Sequence, residues 1–214
     1  MEITLNNKII ESLKWRYAVK KFSDKKLTEE KLEVLIESLR LTPSAYGLQG
    51  WKFLIIENKE IREQLVEPAF NQRQVLEASH LIVMCTVDNY GHEHVESFMS
   101  EVADARNVSI DSLEGYSNMI KGTINNHSDE SKETWLSKQL YIALGNLLTT
   151  CAIEEVDSCP MEGFIKEKYD DILNLKEKGL KSQLIVPIGY RAEDDPYASL
   201  KKVRKNQEDV IEWI

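Results

Sequence analysis

Apolar residues recur along the 214-residue chain in two rhythms, one spaced by three to four residues and one in short unbroken blocks, and each rhythm points to an element. Leu5, Ile9, Ile10 and Leu13 share one face of a helix predicted over 5–15. Leu32, Leu35, Ile36 and Leu39 repeat the pattern behind Thr28 as a cap, with Glu29 and Glu30 in the first turn, where carboxylates suit the helix dipole. Thr42-Pro43-Ser44 ends that helix, and Trp51–Ile56 is a run of strand formers. Ile61, Leu65, Val66 and Ala69 mark another helix, and 75–78 a short one that leads into a buried strand at Leu81–Val87. The stretch 91–126 is polar and weakly periodic, a mostly helical excursion from the core. Over 133–154 the apolar residues run nearly all the way round a helix, so nearly all of it has to be covered, by this chain or by a second copy. A short helix at 164–172 and a strand at 183–190, built on Leu184-Ile185-Val186-Pro187-Ile188, complete the periodic part.

From Arg191 to Ile214 core positions are few, and the segment reads as an arm whose partners lie on another subunit. The long apolar helix and this arm both favour a homodimer. Helices outnumber strands and regular β-α-β-α alternation is absent, so the fold class is α+β, helices around a small mixed sheet. Pro and Gly are sparse and there is no repeat or low-complexity linker, so 1–214 is expected to be one domain.

The net charge of −9 repels nucleic acid and anionic membrane, so neither is an expected partner. No apolar run reaches the ~20 residues of a membrane span. There is no signal-like N-terminus. The three cysteines, Cys85, Cys151 and Cys159, show no C-x-x-C and no zinc-ligand spacing, and read as buried reduced thiols. The chain is expected to be cytoplasmic and to hold no metal.

No G-x-G-x-x-G, P-loop, G-x-S-x-G or H-E-x-x-H is present, which argues against Rossmann, P-loop, serine-hydrolase and zincin chemistry. Ser23 and Lys26 form an isolated S-x-x-K in a polar turn. His92 and His94 flank Glu93 in a solvated stretch, and His80 sits at a strand entry where a structural hydrogen bond is the default. Two basic clusters remain: Lys14, Arg16, Lys20 and Lys21 early, and Lys201, Lys202, Arg204 and Lys205 late. Either alone is an ordinary charged surface; together, in an acidic chain, they have the donors to hold one phosphate dianion from two sides.

Five segments, in order, carry a resemblance. Arg16-Tyr17-Ala18-Val19-Lys20-Lys21-Phe22 resembles the R-x-S-x-[KR]-x-[FY] opening of the FMN-dependent nitroreductase family. The run from Thr42 to Phe53, with Pro43, Ser44, Gln49 and Trp51, is similar to its P-S-x-x-x-x-Q-P-W-x-F signature. Phe70-Asn71-Gln72-Arg73-Gln74 resembles a flavin-contacting loop, and Pro160-Met161-Glu162-Gly163-Phe164 the family's P-x-E-G-F turn. Ile185-Val186-Pro187-Ile188-Gly189 followed by Lys202-Val203-Arg204 resembles its closing strand and phosphate clamp. The branch most resembled is that of the oxygen-insensitive NAD(P)H nitroreductases and their dihydropteridine reductase-like relatives.

The resemblance implies a nitroreductase-like fold in an intertwined homodimer with an exchanged C-terminal arm. It also implies bound FMN, NADH or NADPH as electron donor, and ping-pong delivery of electron pairs to nitroaromatics, quinones or related small acceptors. By position, Arg16, Lys202 and Arg204 would hold the FMN phosphate, with Tyr17 and Ala18 in the same segment. Lys20 would reach the pyrimidine edge, with Asn71 and Gln74 nearby. Glu162 and Gly163 would offer main-chain N–H groups to flavin N5 and O4, and Pro43, Ser44 and Gln49 would come from the second subunit. No side chain is assigned as a catalytic acid or base, the chemistry being that of flavin N5. The segment 91–126 would cover the active site. Three departures stand out: Ala18 in place of a serine, Gly50 in place of a proline, and Gln74 in place of a lysine. A non-catalytic flavin or phosphate-ligand binder, and a metabolite-specific flavin dehydrogenase on the same scaffold, are the alternatives.

Overall fold

A computed structural model describes residues 7–214. Its elements follow the two rhythms of the sequence. The first helix, α1 (Lys8–Trp15), starts where the Asn7 side chain accepts from the Ile9 N–H at 2.9 Å; the expected start at Leu5 lies outside the described residues. Thr28 caps α2 (Glu29–Arg40) by accepting from the Lys31 N–H. Strand β1 (Trp51–Ile56) follows. The helix expected around 61–69 is in fact two pieces, α3 (Lys59–Gln64) and a 3-10 turn Glu67–Ala69, because Pro68 cannot continue a helical ladder. Then come α4 (Gln74–Glu77) and β2 (His80–Val87). The polar stretch 91–126 contains α5 (His92–Arg106) and α6 (Glu114–Asn125). The long helix α7 (Asp129–Ile153) begins four residues before its first expected position, behind a Ser128 cap with Asp129 and Glu130 in its first turn. A two-residue strand β3 (Asp157–Ser158), helix α8 (Lys166–Ile172) and strand β4 (Leu180–Gly189) complete the order.

The four strands lie in the order β1-β2-β4-β3. The sheet expected to be mixed is antiparallel in all three of these pairings. Its parallel element is an isolated bridge between Ala18 and Ser158. Alternation along the strands builds two cores. Ile82, Met84, Leu184, Val186 and Ile188 face α2 and α7 through Leu35, Leu39, Leu140, Ala143 and Leu147. Leu81, Val83, Cys85 and Ile185 face Leu65, Val66, Val75, Tyr169 and Leu173 on the opposite side. A third cluster joins Leu48, Tyr90 and Leu136 to Val95 and Met99 of α5 and Ile120 and Ile124 of α6.

Two parts of the chain expose apolar side chains. On α7, Leu140, Ala143 and Leu147 are fully covered, whereas Tyr141 and Ile142 are open to solvent. Beyond β4, Leu200, Val203, Val210, Ile211, Trp213 and Ile214 are all exposed, Trp213 by 90%. Among the described residues, no helix is long and apolar enough to cross a membrane.

Candidate functional site

Arg16 ends α1, and its chain there is extended. Its guanidinium Nε is buried and has no hydrogen-bond partner. The arm beyond β4 returns to this point: Lys202 Nζ donates to the carbonyl of Leu13 at 2.7 Å and to that of Arg16. Two of its three N–H donors thus satisfy the open end of α1, a favourable place for a cation. Arg204 lies close enough for its charge to act on both. Burial, and then the repulsion of Arg204, holds the Arg16 guanidinium below its ordinary pKa. Burial, Arg16 and Arg204 lower Lys202 in the same way. Among the described residues no carboxylate hydrogen-bonds to Arg16. Three cations gathered from the two ends of the chain, one with a buried donor lacking an acceptor, fit a phosphate dianion.

The same opening segment is clasped from the arm by Asp195. One carboxylate oxygen accepts from the main-chain N–H of Lys20 at 2.8 Å and of Lys21 at 3.0 Å, and the other from Tyr197 at 2.8 Å. Burial alone would raise this carboxyl, but the main-chain donors of Tyr197, Lys21 and Lys20 outweigh it and hold it below the usual range. Lys20 Nζ lies 4.0 Å from Cys159 Sγ and 5.8 Å from the Tyr197 ring. Burial pushes the Cys159 thiol up despite the opposing pull of Lys20 and Arg16. Tyr17 turns the other way. Its ring lies 4.5 Å from the Arg191 guanidinium, which also sits 4.2 Å from Trp15 and pairs in bidentate fashion with the buried Asp157. Burial pushes the Tyr17 phenol up to about 12 against the pull of Arg191. Its side chain therefore anchors the segment and leaves the Arg16 group to the cations. Ala18 bridges to Ser158 at the sheet edge.

The Asn71 loop and the Glu162–Gly163 turn are brought together by Gln72. Its amide donates to the Gly163 carbonyl at 2.9 Å and to that of Ala69 at 3.0 Å. Phe70 and Asn71 both hold left-handed backbone, with φ of 55° and 59°, which makes the loop a tight reversal. Gln74 is buried at the start of α4, and its side chain makes no hydrogen bond among the described residues. Met161 exchanges two hydrogen bonds with Ile185 of β4, at 2.8 and 3.0 Å, which fixes the turn to the sheet. Among the described residues, the N–H groups of Glu162 and Gly163 donate to nothing. The Glu162 carboxylate accepts from the Tyr141 hydroxyl of α7.

Pro43, Ser44 and Gln49 form a separate group. Ser44 Oγ accepts from the Gln49 N–H at 3.0 Å, and Gln49 is held at φ 46°. Ala45 is tied to Gln139 of α7 at 2.9 Å. No hydrogen bond or ion pair among the described residues joins this loop to Arg16, Lys20, Asn71 or Glu162. Gln49 instead borders a cleft of about 300 Å³ with Trp51, Tyr90, His94, Phe98 and Glu101. The Gly50 departure has a packing cause, because a Cβ there would run into Leu136 and Tyr90.

The histidines have local partners. His94 accepts from the Gly91 N–H at 3.1 Å, His92 meets Asn125 at 2.9 Å, and His80 pairs with Ser79 at 3.0 Å. All three cysteines are free and buried. Among the described residues no three His, Cys, Asp or Glu side chains are grouped as a metal ion needs. Sequence reasoning missed Asp195, Gln72 and Tyr141. Asp195 did leave a signal, an Asp-Pro-Tyr turn in which a carboxylate accepts from the N–H two residues on; the other two are ordinary polar positions in their segments.

A family model described as the Nitroreductase family matches residues 13–190. A Staphylococcus aureus protein with the provisional name NAD(P)H nitroreductase is 33% identical over 221 residues, covering 98% of this chain and 97% of its own. A Staphylococcus haemolyticus relative of the same naming is 33% identical over 222 residues, 99% of each chain. The crystal structure of a provisionally named Bacillus subtilis nitroreductase superposes with a TM-score of 0.86 over 97% of this chain and 99% of its own, at 18% identity. A nitroreductase-type protein from Exiguobacterium sibiricum, solved in complex with FMN, gives a TM-score of 0.80 over 96% and 97% at 19% identity. With the family model covering most of the chain and full-length relatives a third identical, the chain belongs to the nitroreductase family.

Proposed function

We propose that the chain is an FMN-dependent oxidoreductase of the cytoplasm. It would use NADH or NADPH to reduce nitroaromatics, quinones or related small acceptors, as a homodimer of single-domain chains. The observation that carries this reading is the buried, acceptor-free Nε of Arg16, set beside Lys202 and Arg204 from the far end of the sequence. Such a cluster is costly unless an anion joins it, and a flavin mononucleotide has the anion at one end. When bound, FMN would supply the two-electron chemistry that links the nicotinamide donor to the acceptor in a ping-pong cycle.

The chain's own residues bind and orient. Arg16, Lys202 and Arg204 hold the phosphate. Lys20 presents a cation toward the pyrimidine edge, where charge accumulates on reduction, and Asn71 and Gln74 border the same edge. The free N–H groups of Glu162 and Gly163 serve as hydrogen-bond donors to the ring. Pro43, Ser44 and Gln49 have no partner in the Arg16 group of their own chain, which supports their serving the site of the second subunit. The 91–126 hairpin then roofs that site, with the cleft of Gln49, His94 and Phe98 admitting the acceptor.

The test is direct. Protein purified without added cofactor should carry a flavin spectrum or take up FMN with quenching of its fluorescence. Anaerobic mixing with NADPH or NADH should bleach it within the turnover time. Double-reciprocal plots against a quinone should run parallel. A protein that binds FMN but fails to bleach would be a binder without this activity.

A further inference from the structure

We infer that Tyr141 is a positioning residue for the turn at Glu162 and Gly163: its hydroxyl holds the Glu162 carboxylate aside, so that the turn's main-chain donors stay free for the ring of the cofactor. This deepens the flavin reading above and rests on it.

The turn hangs on tethers from three parts of the chain. Met161 is bonded in both directions to Ile185 of β4. The Gly163 carbonyl accepts from Gln72 at 2.9 Å. The Glu162 carboxylate accepts from the hydroxyl of Tyr141, midway along α7. The first two fix the main chain on either side of Glu162; among the described residues only the third engages the carboxylate. Burial, then the bond and charge of Glu162, pushes the Tyr141 phenol up to about 12, so it keeps its proton and remains a donor across the neutral range.

A carboxylate set loose here has an obvious alternative. The N–H groups of Glu162 itself and of Gly163 lack acceptors, and a nearby anion competes for such donors through short charge-assisted bonds. It would then occupy the donors that the cofactor needs. Its charge beside a ring that gains negative charge would also oppose reduction. By supplying the carboxylate with another donor, Tyr141 suppresses both effects.

The experiment compares Tyr141→Phe, Glu162→Gln and the double variant with wild type, by FMN titration of the apoprotein and by dye-equilibrated reductive titration of the bound flavin. Tyr141→Phe should weaken FMN binding roughly tenfold, the worth of one hydrogen bond to a charged group, and shift the flavin potential downward. Glu162→Gln, which removes the charge, should shift it upward. On the Glu162→Gln background the Tyr141→Phe change should have no further effect. If Tyr141→Phe does not fold, Glu162→Asp, which shortens the carboxylate's reach toward Tyr141, should give the same downward shift. The inference is overturned if Tyr141→Phe matches wild type in both affinity and potential, or if its shift persists undiminished on Glu162→Gln. A wild-type protein that takes up no FMN overturns the flavin reading itself, and this inference with it.

Discussion

Lys202 shows how much one side chain can be asked to do. It closes the end of α1 with two donors and stands among like charges that depress its pKa. A phosphate seated there favours the protonated lysine, so binding and protonation are coupled. FMN affinity should therefore be highest near neutrality. It should fall as pH drops through the second phosphate ionisation, ~6. It should also fall on the alkaline side, where the free protein's Lys202 loses its proton earlier than an ordinary lysine. Lys202→Met should weaken binding about tenfold and remove that alkaline limb; fluorescence-quenching titrations across pH read both, and an unchanged limb in the variant would falsify the assignment. Gln74 offers a second residue-scale check. On the proposed placement a lysine there would add a cation near the pyrimidine edge, so Gln74→Lys should raise the flavin potential, and a wild-type value at or above the variant's would contradict the placement. The charge types and order of these residues were legible in the sequence. The direction of Tyr17 was not, because only the fold sets it beneath Arg191, and the pairing of Tyr141 with Glu162 depends on a helix register that no spacing announces.

Asp195 acts on a whole element by stitching the 191–200 segment to the opening one. Its three main-chain donors favour the carboxylate form and outweigh the opposing effect of burial. Its folded pKa is depressed, so its stabilisation is fully present above the unfolded value, near ~3.9, and is lost as pH falls through the folded value. Asp195→Asn leaves N–H groups facing an amide and should cost about 2 kcal/mol, which lowers Tm by about 4–8 °C for a chain of this size. The loss should be plain in calorimetry at neutral pH and should shrink in acid; a pH-independent loss would contradict the charge-based account. At this scale the strands read well because β2 and β4 are covered on both faces and appear as apolar blocks. The start of β4 at Leu180 was hidden by Lys181 and Ser182, and β3 was hidden because two polar residues carry no period. The true start of α7 was written in Ser128-Asp129-Glu130, a cap with an acidic first turn, but the apolar pattern drew the boundary later.

At the scale of the whole molecule, the single chain leaves one question that its own packing does not answer: what covers the outer face of α7 and the arm. Tyr141 and Ile142 are exposed there, and the arm adds Val203 and Trp213. Gly145 follows Tyr141 and Ile142 one turn further along the helix, and a Cβ on it would meet nothing within 4 Å in its own chain. A glycine inside a helix costs about 1 kcal/mol relative to alanine, and Gly145 leaves room on this face for the close approach of a partner helix. In the proposed dimer, a second copy across α7 would make that approach, cover the apolar face and carry Pro43, Ser44 and Gln49 toward the partner's site. Light scattering should therefore give about twice the 24.7 kDa of one chain. Gly145→Leu, too large for a close helix contact, should dissociate the dimer, and FMN affinity should fall with it even though no phosphate-binding side chain has changed. Gly145→Ala tests the converse: were the position simply open to solvent, alanine would stabilise the protein by about 1 kcal/mol and leave assembly intact. A Gly145→Leu protein that remains dimeric and holds FMN as tightly as wild type would detach the site from the interface, and Pro43, Ser44 and Gln49 would then have to act within their own subunit.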